Sequence, residues 1–281
     1  MSYTIPDHPD AATYRNRIPT WEDLSQNLRD AYTLDHKIPV HSYYLRDNAT
    51  ANPPVWSRSL LETAIHEAEK NGELPVAARS YYPGDVFAMY RMLELYSVKD
   101  KEVLVIGSLK PWLEAIALSR GARHVTTVDF SPPQIDPAFQ AAHPGKLSSI
   151  HVSELDGTRK KYDVVMSFSS LEHDGLGRYG DPIHPNGDLE RMKAIRSFVQ
   201  PATGIFLLSV PIGRDLLCYN AHRIYGPIRF PLLTEAQGWD VLGVDWNRVQ
   251  YGHVSRDTLF DVNERSGAFQ PIWALRPKNL L

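Results

Sequence analysis

A doubly wound, mostly parallel α/β sheet with an N-terminal helical extension is the fold class this sequence predicts, and three observations predict it. From Lys101 onward, short apolar and β-branched runs alternate with helix-like stretches. The run Val103-Leu104-Val105-Ile106 is apolar at every position, as in a strand buried on both faces. The first run stops at Gly107, the second on Asp129 and the fifth at Pro211, where a chain turns into its next element. Strands that alternate with helices imply parallel pairing through crossover connections.

The elements follow in order. Residues 1–55 are rich in Pro, Asp, Asn and Tyr and read as an irregular arm with one short helix near residues 21–32. Ser57 can cap a helix whose Leu60, Leu61, Ala64, Ile65 and Ala68 form one stripe, and Asn71-Gly72 ends it. A second helix spans residues 85–96, with a broad apolar face from Val86 to Tyr96. Residues 1–98 therefore read as an arm with helices, and residues 99–281 as the α/β domain. Tyr81-Tyr82-Pro83-Gly84 is a candidate lid or, equally, a packing or dimer surface.

Val103-Leu104-Val105-Ile106 is the first strand and stops at Gly107. Pro111 can open the next helix at its first position, and Gly121 can close it. Residues 124–128 form a second strand ending on Asp129, residues 148–152 a weaker third, 162–168 a fourth and 205–210 a fifth. A helix over 188–199 joins the last two. Two late strands are expected at 241–244 and 271–275.

Composition narrows the function classes. Of 281 residues, 43% are hydrophobic and 22% charged, and the net charge is −3, so no basic excess points to nucleic acid. The single cysteine, Cys218, sits in the apolar stretch Leu216-Leu217-Cys218-Tyr219 and reads as core filling rather than a nucleophile. No run is long enough to span a membrane, and Met1-Ser-Tyr-Thr-Ile-Pro lacks the pattern of a secretory signal. The expected compartment is the cytoplasm and the expected partner a small-molecule substrate, with neither nucleic acid nor membrane.

In an open parallel sheet, ligands bind beyond the carboxyl ends of the strands, so the residues after each strand are the site candidates. Gly107 allows close backbone approach after strand one. Asp129 follows 22 residues later, where a carboxylate can accept the hydroxyls of a ribose; its alternative is a turn cap ahead of Ser131-Pro132-Pro133. Residues 172–188 follow strand four and hold Glu172, His173, Asp174, Arg178, Asp181, His184 and Asp188 among glycines and prolines. Such a loop can carry an acid–base pair, with His173 taking a proton and Glu172 orienting it. The alternative is a structured loop with Asp188 as a helix cap. The same carboxylates and imidazoles are candidate ligands for a divalent metal, but no helix carries His-x-x-x-His spacing and no thiolate cluster exists, so metal is not favoured. After strand five, Asn220, His222, Arg223 and Tyr225 are hydrogen-bonding groups; Arg223 can clamp a carboxylate or phosphate, or the set can be a buried polar network.

Val103-Leu104-Val105-Ile106-Gly107, Gly121-Ala122 and Val128-Asp129 resemble the first two motifs of the class I S-adenosylmethionine-dependent methyltransferases, which have a Rossmann-like sheet. Tyr162-Asp163-Val164-Val165-Met166-Ser167 with Leu171-Glu172-His173 resembles their fourth-strand motif. The likeness covers roughly residues 99–275. Gly107-Ser108-Leu109-Lys110-Pro111-Trp112-Leu113-Glu114-Ala115, Ser169-Ser170-Leu171-Glu172-His173 and residues 175–182 are similar to a small branch described as a domain of unknown function. The resemblance implies S-adenosylmethionine as cofactor. Gly107 and Ser108 would meet its amino-acid part, Asp129 its ribose, Phe130 and Glu154 its adenine, and Ser167 and Phe168 would line the pocket. Arg178, Tyr179, Asp181, His184, Asn220, Arg223 and Tyr225 would face substrate. Of the usual G-x-G-x-G loop only Gly107 is present, so Ser108, Leu109, Lys110 and Pro111 are expected to place side chains in space the cofactor uses. Lys110 can pair with the cofactor carboxylate or stay solvated.

Three activities follow. The first is methyl transfer to an oxygen or nitrogen of a small molecule, with His173 and then His222 as base. The second is a metal-assisted lyase or hydrolase step on the same fold. The third is a non-catalytic binding protein.

Overall fold

A computed structural model describes residues 8–14, 18–45, 53–79, 84–155 and 160–278. Seven strands form the central sheet: β1 (Glu102–Ile106), β2 (His124–Asp129), β3 (Leu147–His151), β4 (Val164–Phe168), β5 (Ile205–Ser209), β6 (Trp239–Asp245) and β7 (Ile272–Pro277). Their spatial order is β6-β7-β5-β4-β1-β2-β3. Strands β1 to β5 pair in parallel, and β7 runs antiparallel to both β5 and β6. The sheet is thus Rossmann-like, doubly wound and mostly parallel, with one reversed strand.

The apolar strands are explained by burial on both faces. Leu104, Ile106, Val165, Phe206 and Leu208 join a core on one side, closed by the helix Gly187–Ile195 and by Phe230, Trp239 and Trp273. Val103, Val105, Val164, Met166 and Leu207 alternate to the other side. There the helices Arg58–Glu69, Asp85–Leu95 and Trp112–Ser119 cover them. Ser57 caps the first of these by accepting from Leu60 N, as its position predicts. Pro111 stands one place before the expected first helical position: it is the N-cap, and the helix opens at Trp112. Asn186, not Asp188, is the N-cap of the helix Gly187–Ile195, which tightens into a 3-10 turn over Arg196–Phe198.

The described part of the first 55 residues holds more regular structure than the irregular arm the sequence suggests. A 3-10 turn (Pro9–Tyr14) and a helix (Gln26–Thr33) lead into a strand, Val40–Tyr43, that pairs in parallel with Leu216–Asn220. Leu216–Asn220 pairs in turn with His222–Ile224, giving a separate three-stranded sheet beyond β5. Cys218 is buried in that sheet. Tyr32 donates to the Gly175 carbonyl, and Trp21, Tyr32 and Tyr219 meet edge to face, fixing the arm against residues 171–185. Tyr81, Tyr82 and Pro83 lie outside the described residues. No helix among the described residues is long and apolar enough to cross a membrane.

Candidate functional site

The order of strands reverses at β1, whose neighbours are β2 on one side and β4 on the other. A crevice is expected outside the carboxyl ends there, and a cavity of about 600 Å³ opens at that place. The β1 loop gives it Gly107, Ser108, Leu109 and Lys110, and the β4 loop gives it Ser169, Glu172 and His173. Arg79, Arg178 and Tyr179, His222 of the small sheet, Gln270 ahead of β7, and Tyr43 of the N-terminal strand are also among the walls.

The loop after β1 is built from beneath. Gly107 has φ +70°, and a Cβ there would lie 2.3 Å from Ser170 Oγ, so glycine is required by the neighbouring loop itself. Ser108 does not crowd the cavity with its side chain. Its hydroxyl lies 2.9 Å from the Lys110 carbonyl and 3.1 Å from Oε2 of the fully buried Glu114. Thr127 donates to the other Glu114 oxygen at 2.7 Å. A hydroxyl has one proton. With Ser108 donating to the carbonyl, a protonated Glu114 completes the set, and burial raises its pKa to about 7. Leu109 is exposed, and Lys110 Nζ is 3.4 Å from the Val76 carbonyl.

The loop after β4 presents the chemistry. Ser169 holds a left-handed backbone, φ +51°, uncommon for a residue with a side chain. Its hydroxyl donates to Glu172 Oε1 at 2.7 Å. Glu172 is 1% exposed, and its Oε2 has no hydrogen-bond partner. Burial, opposed by the Ser169 hydrogen bond, raises its pKa to about 7. His173 Nδ1 lies 2.6 Å from the Ala221 carbonyl, so that nitrogen carries the proton and Nε2 is bare, 3.5 Å from Glu172 Oε1. Burial, then the Arg178 charge, depresses the His173 pKa to about 3. Phe168 meets Trp112 edge to face at 4.9 Å, an apolar wall beside these groups.

The other candidates divide sharply. Asp129 lies outside the cavity lining; its Oδ1 accepts from Ser131 N at 2.8 Å, and burial raises its pKa against backbone N–H groups of Ser131, Ser108 and Phe130. Phe130 is exposed, 5.7 Å from the Arg191 guanidinium. Glu154 accepts from His151 N at 2.8 Å in a capping box. Ser167 is buried and donates to the Ile106 carbonyl. Asp181 accepts from Gly175, Gly177 and Tyr179 N–H groups, so it shapes its own loop. His184 packs edge to face on His8. Asn220 bonds both N–H and carbonyl of Leu45, holding the N-terminal strand. Arg223 donates to the Glu172, Asp174 and Pro185 carbonyls, and Tyr225 donates to Asp188. The set after β5 is thus the buried network, except for His222, which lines the cavity. Among the described residues, no three or more His, Cys, Asp or Glu side chains converge as a metal site.

Gln270, Ser169, Glu114 and Tyr43 were not candidates from sequence. Only Glu114 leaves a local signal, a lone acid in the apolar helix Trp112-Leu113-Glu114-Ala115-Ile116-Ala117. Gln270 stands 101 residues from Ser169, its partner.

The chain is similar to the 1,6-didemethyltoxoflavin-N1-methyltransferase of Burkholderia thailandensis, solved with 1,6-didemethyltoxoflavin and S-adenosylhomocysteine. Identity is 17%, the TM-score is 0.48, and 78% of this chain and 80% of that one are covered. It is also similar to an S-adenosylmethionine-dependent methyltransferase of Clostridium acetobutylicum, at 9% identity and TM-score 0.44 over 71% and 93% of the two chains. No curated protein matches it. A family model matches residues 100–251, more than half of the chain, and on that match the protein belongs to the family described as Caenorhabditis protein of unknown function, DUF268.

Proposed function

We propose that the protein transfers a methyl group from S-adenosylmethionine to an oxygen or nitrogen of a small molecule held in the cavity. The observation that carries this reading is the buried Glu172 carboxylate, with one oxygen unpaired, in the wall of the cavity at the β1–β4 switch point. The residues present fit the cofactor. Gly107 has no side chain, and that of Ser108 is turned under the loop, so backbone faces the cavity there. Asp129 spends acceptor sites on N–H groups of its own loop, but a carboxylate has about four, enough to receive a ribose hydroxyl as well. Gly107, Ser108, Asp129 and Phe130 would hold the cofactor, which when bound supplies an electrophilic methyl group on a sulfonium.

The chain's own work is positioning and one proton transfer. His173, expected as the base, has too low a pKa to keep a proton near neutrality and serves as an acceptor at Nε2. Glu172, near 7, is matched to the task. Ser169 fixes its Oε1 and leaves Oε2 to take the substrate proton. Trp112 and Phe168 exclude water beside it.

Calorimetric titration with S-adenosylmethionine and S-adenosylhomocysteine tests the cofactor. Micromolar binding that is lost in Asp129→Ala is expected. Absence of binding by well-folded protein would overturn the reading.

A further inference from the structure

The hydrogen bonds around Ser169 run in one direction. Gln270 Nε2 donates to the Gly267 carbonyl and to Ser169 Oγ, each at 3.0 Å. A carbonyl only accepts, so the amide nitrogen must face Gly267, and the orientation of the Gln270 amide follows. Ser169 Oγ, receiving from Gln270, gives its own proton to Glu172 Oε1. With Glu172 ionised, every donor of the three side chains is then spent. What remains is two acceptors, Gln270 Oε1 and Glu172 Oε2, both buried and both without a partner. Gln270 is 3% exposed, and both residues line the cavity.

The nearby imidazoles add to this polarity. His173 keeps its proton on Nδ1 against Ala221. His222 Nε2 lies 3.1 Å from the Arg265 carbonyl and so carries the proton, leaving Nδ1 bare. Burial lowers the pKa of both rings, so neither becomes a donor through a second proton at neutral pH. Arg178 stands at the same end, donating to the Ala221 carbonyl and stacked 4.8 Å from the Tyr179 ring, and its charge disfavours a cationic guest. The apolar wall of Trp112 and Phe168 suits a flat body.

We propose that this end of the cavity is a donor-binding subsite for a flat, neutral group carrying O–H or N–H groups, received by Glu172 Oε2 and Gln270 Oε1. An acceptor sealed from water and unpaired is unfavourable, and a ligand donor that reaches it removes the penalty. A carboxylate or phosphate, offering only acceptors, gains no hydrogen bond from these two atoms. The role of that group as methyl acceptor rests on the proposed function; the subsite does not.

The test is calorimetric titration of the full chain with benzene-1,2-diol, 1,2-dimethoxybenzene and benzoate, with S-adenosylhomocysteine in parallel. The diol should bind at least about tenfold more tightly than either comparison, a margin that measures the donors alone against dimethoxybenzene. Glu172→Gln and Gln270→Leu, each checked by thermal melting, should erase that margin. The subsite is overturned if the diol fails to bind at millimolar concentration, if dimethoxybenzene or benzoate matches it, or if the margin survives in both folded variants. Should a variant not fold, the other and the wild-type ranking decide. A diol preference without S-adenosylhomocysteine binding would sink the cofactor reading alone; the reverse would sink the subsite alone.

Discussion

Two carboxylates stand at opposite ends of the loop after β4, and both are buried: Glu172 is 1% exposed and Asp188 0%. Asp188 is enclosed by cations. Arg229 donates to its two oxygens at 2.6 and 2.9 Å, Tyr225 donates at 3.0 Å, and the Arg223 guanidinium lies 3.8 Å away. Burial alone would raise its pKa, yet Arg223 and Arg229 hold it below the ordinary carboxylate range. Glu172 has one serine hydroxyl, a bare imidazole nitrogen and an unpaired oxygen, and its pKa rises to about 7. Burial therefore does not mark function by itself. A buried charge with all its partners is scaffold, and a buried acid left short of partners at a cavity is chemistry in waiting.

The largest effect that would sharpen this contrast is on stability. Asp188→Asn strands two buried guanidinium groups, and breaking such a set costs about 3–5 kcal/mol. Denaturant unfolding should show that loss. A loss within experimental error would mean that Asp188 is not the anchor of the loop.

Glu172→Gln should behave in the opposite way. It removes an unfavourable buried acid, so the folded state should be no less stable, while turnover on any methyl acceptor should fall by about 10²–10⁴, the usual contribution of a general base. The pH dependence carries a sign. Between the ordinary carboxylate range and about pH 7, the native chain keeps protons on Glu172 and Glu114 that the unfolded chain releases. Their contribution to stability is therefore greatest below that window and is lost as pH rises through it. Glu172→Gln should flatten part of that slope, and the wild-type rate should climb to a plateau above about 7 as Glu172 ionises. A slope unchanged in the variant would break the comparison.

The smallest effect belongs to Tyr225→Phe. It removes one hydrogen bond to Asp188 while both arginines stay, and should lower stability by about 1 kcal/mol with turnover unchanged. A large loss of turnover would move Tyr225 from scaffold to site.

Much of the frame was legible in the chain because its signals are local. Runs such as Val103-Leu104-Val105-Ile106 are apolar at every position since both faces of a central strand are covered, and Gly107 and Asp129 sit where those runs end. The reversal of β7 was not legible, since a strand carries the same pattern in either direction. The strand Val40–Tyr43 was missed because it is short and pairs with a partner more than 170 residues away, and Leu216–Asn220 because it reads as an apolar stretch after strand five.

The sequence by itself determined the sheet, the order of its elements and the loop of residues 172–188 as the place of titratable groups. Only the tertiary structure decided which of those groups face a ligand. Asp181, Asp188, Asn220, Arg223 and Tyr225 are as polar as Glu172 and His173, but fixed partners absorb them. Glu172 keeps a free oxygen because Ser169, held by Gln270 from 101 residues away, offers it a single proton. Hydrogen-bond supply is a property of neighbours in space, and no spacing along the chain records it.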